Sequence, residues 1–166
     1  MSWRGSTTVK DRIFACLPYL LPLIEVVAFG EYLLSIFPVL AVVLAPLFVL
    51  KEVYDIIDQG LFGFGGLIIL FALLMLVVRN ERLPHFIRFN TMQAILLDIV
   101  IILCSILLTI IRQLGLVPAN GLATQTLATT IFLGILAASV YSIVQSLLGR
   151  YAEIPAISDA VYMQVR

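Results

Sequence analysis

Charge is scarce in this chain. Lys, Arg, Asp and Glu make up 12% of its 166 residues, about half the roughly 25% usual for a soluble domain. That leaves too little polar surface to cover a water-soluble globule, so lipid is expected to solvate the outward apolar side chains. Histidine occurs once, at His85, and cysteine twice, at Cys16 and Cys104, each inside an apolar run. Their spacing suits no metal, and both cysteines read as small buried hydrophobes. There is no Gly-x-Ser-x-Gly elbow, His-Glu-x-x-His pair or phosphate loop. No catalytic residue, metal or cofactor is therefore expected, and the chain is not expected to be an enzyme. Ten basic residues balance ten acidic ones without forming a basic patch, which argues against a nucleic-acid partner. A cleavable leader and a Ser- and Arg-rich transit peptide are also not evident, so the expected source is a bacterial or organelle-encoded product or a trimmed mature form.

What the chain has is hydrocarbon: 62% of its residues are hydrophobic. Four stretches, 32–50, 61–78, 92–111 and 122–148, are long and apolar enough to cross a bilayer, which takes about 20 residues. Segment 9–29 is also apolar, but Pro18, Pro22 and Glu25 interrupt it, and proline removes a helix hydrogen bond. It is expected to lie at the interface or dip part-way in, with a kinked span as the alternative. Pro38 and Pro46 predict kinks in 32–50, and Gly63, Gly65 and Gly66 predict close helix contact at the start of 61–78. The tail, 149–166, has Ser158 positioned to cap a last helix. The fold expected is all-α, an integral membrane four-helix bundle in one domain over 1–166, with an interfacial or partly inserted N-terminal helix.

Basic residues in short loops favour the cytoplasmic-type side. With four crossings and 9–29 outside them, Arg4, Lys10, Arg12, Arg79, Arg82, Arg88, Arg150 and Arg166 share one side, and only Lys51 and Arg112 face the other. With 9–29 crossing as a fifth span, the split is five against five. Four crossings with both termini on the cytoplasmic or stromal side is the better reading.

One span carries a polar stripe. At about 100° per residue, Thr91, Asp98, Ser105, Thr109 and Arg112 fall within roughly 60° of arc. A charged side chain in hydrocarbon costs a few kcal/mol, so it normally faces protein or a wet cavity. The following span runs the opposite way, and at matching depth it offers Tyr141, Ser142 and Gln145 as partners for Asp98. Thr130, Gly134, Ala138, Ser142 and Ser146 form a small-residue seam along which the two helices are expected to approach. Asp98 is either a structural hydrogen-bonding group or part of a polar path. Glu25 is either interfacial or a second polar group facing the bundle. Arg79, Arg82 and Arg88 suit lipid headgroups, with stems lying past Leu83, Phe86 and Phe89, or a protein partner.

The segment 77–99, VVRNERLPHFIRFNTMQAILLDI, resembles the signature of the twenty-kilodalton subunit of the translocon at the inner envelope membrane of chloroplasts, the Tic-twenty family. FIRFNTMQAILLDI is its most specific part. The opening DRIFACLPYLLPLIEVVAFG and closing EIPAISDAVYMQVR are similar to the same family, so the likeness runs from Asp11 to Arg166. The matching motif residues are Arg79, Asn80, Arg82, Phe86, Ile87, Arg88, Phe89, Asn90, Gln93, Ala94 and Asp98. The resemblance implies four membrane helices with both ends on the stromal or cytoplasmic side, in the inner envelope or a cyanobacterial membrane. It also implies a membrane-embedded part in protein import. The partners it implies are the lipid bilayer, other translocon or membrane-complex subunits, precursor polypeptides and further copies of the chain. Two other readings stay open: an assembly factor for photosynthetic or envelope complexes, and a small-solute or ion transporter using Asp98.

Overall fold

The computed structural model describes residues 8–115, 118, 121–155 and 157–165, and these form helices and turns with no strand among them. The chain enters through α1, Val9–Cys16, and α2, Leu20–Val26, which short 3-10 turns at Leu17–Tyr19 and Val27–Phe29 join into one apolar rod, Val9–Phe29. Pro18 opens the first of these turns, where its missing N–H costs little. Pro18 falls in this 3-10 turn and Pro22 in the first turn of α2, so the rod continues instead of breaking.

A capping box starts α1. The Asp11 N–H donates to Thr8 Oγ1 at 3.2 Å, and the Thr8 N–H donates to Asp11 Oδ2 at 2.9 Å. Removing such a cap costs on the order of 1 kcal/mol. Thr8→Ala should therefore speed amide exchange in the first turn of α1 roughly fivefold and leave the global melting temperature unchanged. Unaltered exchange at Asp11 would refute this.

Two long helices complete the centre: α7, His85–Gln113, and α8, Leu122–Leu147. The rod runs parallel to α7 and antiparallel to α8. Near its start, Arg12 reaches the Leu147 carbonyl, and further along Tyr19 meets Asn90. At its far end Gly30 lies against the Phe132 ring, so close that an added Cβ would sit 2.8 Å from it. Tyr19, Val26, Ala94, Leu97, Ile101, Phe132 and Ile135 form the buried core of this three-helix unit. Segment 9–29 is thus a central helix of the bundle, long and apolar enough to cross a membrane, with half of its most apolar window buried. The reason is pairing: its polar groups find partners on α7, which a reading of the segment alone cannot supply.

Residues 31–78 wrap this unit. Stretch 32–50 is not one straight helix. It breaks at Phe37 and Leu44 into α3, Glu31–Ile36, α4, Pro38–Val43, and the start of α5, Ala45–Gly60. Pro38 and Pro46 each sit in a first helical turn, where proline starts a helix more readily than it continues one. The chain then turns by 102° into Gly65–Val78, made of α6, Gly65–Leu73, and a π-helical stretch at Leu74–Val78. Phe62 and Gly63 make the elbow in left-handed conformation, with φ of 58° and 80°. Asp58 ties it, accepting from the Gly66 N–H through Oδ1 at 3.3 Å and from the Gly63 N–H through its carbonyl at 2.8 Å.

Among the described residues, three helices are long and apolar enough to cross a membrane: Val9–Phe29, His85–Gln113 and Leu122–Leu147. The bent pair Ala45–Gly60 and Gly65–Val78 makes a fourth if counted as one span. Many large apolar side chains remain exposed, Val39, Val42, Val43, Ile56 and Leu76 among them, as lipid contact requires. The chain is a helical, multi-pass membrane protein.

A short helix, α9, Ile157–Gln164, folds back on the start of α7. Val161 and Val165 join Leu70, Val78, Phe89, Met92 and Ile95 in a second buried cluster. Ser158, expected as its cap, is the second residue of α9. Its hydroxyl accepts from the Ile154 N–H at 2.7 Å and so braces the preceding turn.

Candidate functional site

The polar residues inside the bundle fall into two groups, set by the rotation of α7. Asn90 and Gln93 face the rod and α8. Asn90 is fully buried; its Oδ1 accepts from the Tyr19 hydroxyl at 3.0 Å and the Ser146 hydroxyl at 2.8 Å, while its Nδ2 donates to the Phe86 carbonyl at 2.8 Å. One amide side chain therefore ties three helices. Gln93 Nε2 donates to Ser142 Oγ at 3.1 Å, leaving Gln93 Oε1 without a donor.

Asp98 belongs to the other group. It lies five residues past Gln93, about 140° further round the helix, and so faces away from α8. The expected contact with Tyr141, Ser142 or Gln145 does not form. Ser142 is taken by Gln93, Tyr141 is exposed and Gln145 is half-buried. Asp98 instead faces Glu25 from α2, and the two carboxyl groups are close enough to act on each other. Glu25 Oε1 also accepts from the Tyr54 hydroxyl of α5, and Lys51 and Asp58 of the same helix are close enough to act on Glu25 electrostatically. Lys51 is held by Asp55, at 2.8 and 3.0 Å from its two oxygens. Thr91, one turn-pair below Asp98 on the same face, is fully buried with no partner for its hydroxyl.

The outer part of the expected stripe is different. Ser105 and Thr109 are exposed, and the Thr109 hydroxyl returns to the Ser105 carbonyl at 2.8 Å, as threonine in an apolar helix commonly does. Arg112, at the far end of α7, lines a polar pocket with Glu31 and Gln125. The small-residue seam is also rotated from expectation. Thr130 and Gly134 are exposed, and a Cβ at Gly134 would meet nothing within 4 Å. The buried line on α8 is Thr124, Phe132, Ile135, Ser139, Ser142 and Ser146.

Two cavities flank the acidic pair. A groove of about 680 Å³ between the rod, α6 and α7 is lined by Phe14, Leu17, Leu21, Leu73 and Ile87, with Tyr54 and Thr91 at its inner wall. A smaller cavity of about 270 Å³ is lined by Glu25, Phe29, Lys51, Ile101 and Ser105. Glu25 and Tyr54 thus stand between the two. Among the described residues, no group of three or more His, Cys, Asp or Glu side chains is arranged to hold a metal ion.

In the motif segment, Arg79 and Arg82 are exposed, and Asn80 Oδ1 accepts from the Arg82 N–H at 3.1 Å. Arg88 donates through Nε to the Val78 carbonyl at 2.7 Å, tying α7 to the end of the π-helical stretch. Phe86 and Phe89 are buried, each edge-on to Tyr151. His85 contacts the Tyr151 hydroxyl at 3.1 Å and the Val165 carbonyl at 3.3 Å, so it joins α7 to the C-terminal segment.

Comparison with known proteins places this arrangement. The family model described as "Chloroplast import apparatus Tic20-like" matches residues 8–161. The chain belongs to the Tic20 family. It is 48% identical over 166 residues to a Tic20 family protein of Synechocystis sp., covering 100% of this chain and 99% of that one. It is 33% identical over 165 residues to the Tic20 family protein Ycf60 of Porphyra purpurea, covering 97% and 78% of the two chains. With Protein TIC 20-v, chloroplastic, of Arabidopsis thaliana it shares 28% identity over 163 residues, 96% of this chain and 73% of the other. The Tic20 match includes the rod, the elbow and both long helices. Sequence reasoning missed Tyr19 and Tyr54, and gave Ser146 only as a small residue of the α8 seam. Tyr19 carried a signal, since it sets a polar tip in an apolar run and a buried Tyr O–H normally has a partner.

Proposed function

We propose that the protein is a membrane-embedded component of a protein translocon: the import machinery of the chloroplast inner envelope or its cyanobacterial counterpart. The observation that carries this reading is the Tic20 match, which runs through 8–161 and so takes in the whole bundle. The chain acts as a packing element rather than a complete pore, because a bundle of this size fills its own centre with side chains. It works with other subunits or copies of itself. The groove beside α6 is the face offered to an apolar stretch of a precursor, and Thr91 and Tyr54 form its polar inner wall.

Both termini lie on the stromal or cytoplasmic side in this reading. The charge count supports it in either arrangement with four crossings. If Val9–Phe29 crosses and the bent pair Ala45–Gly60 and Gly65–Val78 returns, the division is still eight basic residues against Lys51 and Arg112. The exposed Arg79 and Arg82 then meet lipid headgroups or a neighbouring subunit on that side.

A photo-reactive amino acid at Leu73 in the groove or at Ser105 beside the smaller cavity should form adducts with a precursor arrested in native membranes. The same probe at Thr130, which is exposed on α8 and lines neither cavity, should form few. Equal labelling from all three positions, or none from the first two, would end this reading.

A further inference from the structure

Two acidic side chains from different helices meet inside the bundle, and the protein supplies a donor to only one of them. Asp98 is 0% exposed, and neither of its carboxyl oxygens has a hydrogen-bond partner. It faces Glu25, which accepts from Tyr54. The charged groups that face Glu25 from α5 are Lys51 and Asp58. Lys51 is bound to Asp55, and Asp58 is bound to the Gly66 N–H. α8 holds no ionisable side chain except Tyr141, which is exposed. The backbone above the pair is fitted closely to it: a Cβ on Gly66 would lie 2.5 Å from the Tyr54 hydroxyl and 3.1 Å from Glu25 Oε1.

Two ionised carboxylates about 4 Å apart repel by about 4 kcal/mol at an effective dielectric of 20, and by more in a drier setting. Buried carboxyl pairs resolve this by holding one proton between them. The proton turns repulsion into a hydrogen bond and gives Asp98 the partner it lacks. A route to the pair also exists. The cavity of about 270 Å³ opens on Glu25 between Lys51 and Ser105, while the groove on the other side of Tyr54 is walled almost wholly by apolar side chains.

We propose that Glu25 and Asp98 form a proton-binding site that holds one shared proton and is loaded through the cavity lined by Lys51 and Ser105. The occupant is a proton rather than a metal ion, since among the described residues no third carboxylate, histidine or cysteine joins the pair. The site joins α2 to α7, with α5 attached through Tyr54, so losing the proton would force these helices apart. The inference stands apart from the translocon role and would hold for any function of the bundle.

Infrared spectroscopy of the intact protein in lipid nanodiscs tests it. At neutral pH the wild type should show the carbonyl stretch of a protonated carboxylic acid, shifted in heavy water. Heavy-isotope labelling of the aspartate or glutamate carboxyl carbons should move that band, which needs no variant to fold. Asp98→Asn should abolish it, and Glu25→Gln should abolish or displace it. Absence of the band in the wild type, or its persistence unchanged in both variants, would overturn the proposal. Loss of the band when sodium replaces choline at constant pH would overturn it in favour of a cation.

Discussion

Asn90→Leu should lower the unfolding free energy by about 2 to 4 kcal/mol, measured in detergent by thermal or denaturant-induced loss of helical signal. Leucine keeps the number and branching of the side-chain heavy atoms while removing every polar one, so the lost hydrogen bonds dominate the effect. The substitution removes three hydrogen bonds, from Tyr19, from Ser146 and to the Phe86 carbonyl. Hydrogen bonds between membrane helices average about 0.6 kcal/mol, with the strongest near 1.7. Two buried hydroxyls are then left without an acceptor, each at a cost of about 1 to 3 kcal/mol before relaxation. Relaxation recovers part of that, which sets the stated range. Thr109→Val is the control, because that hydroxyl bonds only within its own helix; it should cost less than about 0.5 kcal/mol. A loss at Asn90 no larger than in the control would show that Asn90 does not tie the three helices together.

Gly65→Val should open the elbow between α5 and α6. A Cβ at this position would lie 2.8 Å from the Asp58 Cα and 2.9 Å from Asp58 Oδ1. The first of these is a backbone atom, which cannot swing aside as a side chain can. The chain must instead change its 102° turn or withdraw α6, at a cost of about 1 to 3 kcal/mol, the range for overpacking. Withdrawal would also pull Gly66 from the Asp58 carboxylate and expose Tyr54. Spin labels at the exposed positions Val49 and Leu76 should report a longer or broader distance in the variant. Gly134→Ala is the matched control, since nothing lies within 4 Å of its added Cβ, and it should leave that distance unchanged. An unchanged Val49–Leu76 distance in Gly65→Val would contradict the steric argument.

Several features were legible before any tertiary contact was known. Scarce charge and long apolar runs specify a helical membrane protein, because lipid tolerates only structures that satisfy their own backbone. The motif around Arg79 to Asp98 carries the family. The periodicity of α7 correctly marks Asp98 as unable to face lipid: its side chain is 0% exposed. The glycines at the start of 61–78 signal close contact, and Gly65 and Gly66 make it with Asp58 and Tyr54.

The partner of Asp98 was not legible. A helical wheel says which residues share a face, but not which neighbouring helix occupies it. Depth matching assumed that the next helix in sequence would be the neighbour. In the folded chain that side of α7 is filled by α2, which comes from the far end of the sequence and turns the pairing from Ser142 to Glu25. The same contact explains why 9–29 looked interfacial when read alone: Glu25 and Tyr19 are costly in hydrocarbon until α7 supplies their partners. Composition and periodicity, which are local, determined the class of the protein and pointed to a buried Asp98. Only the tertiary structure decided which buried groups meet, because that depends on how distant segments share the limited surface of one central helix.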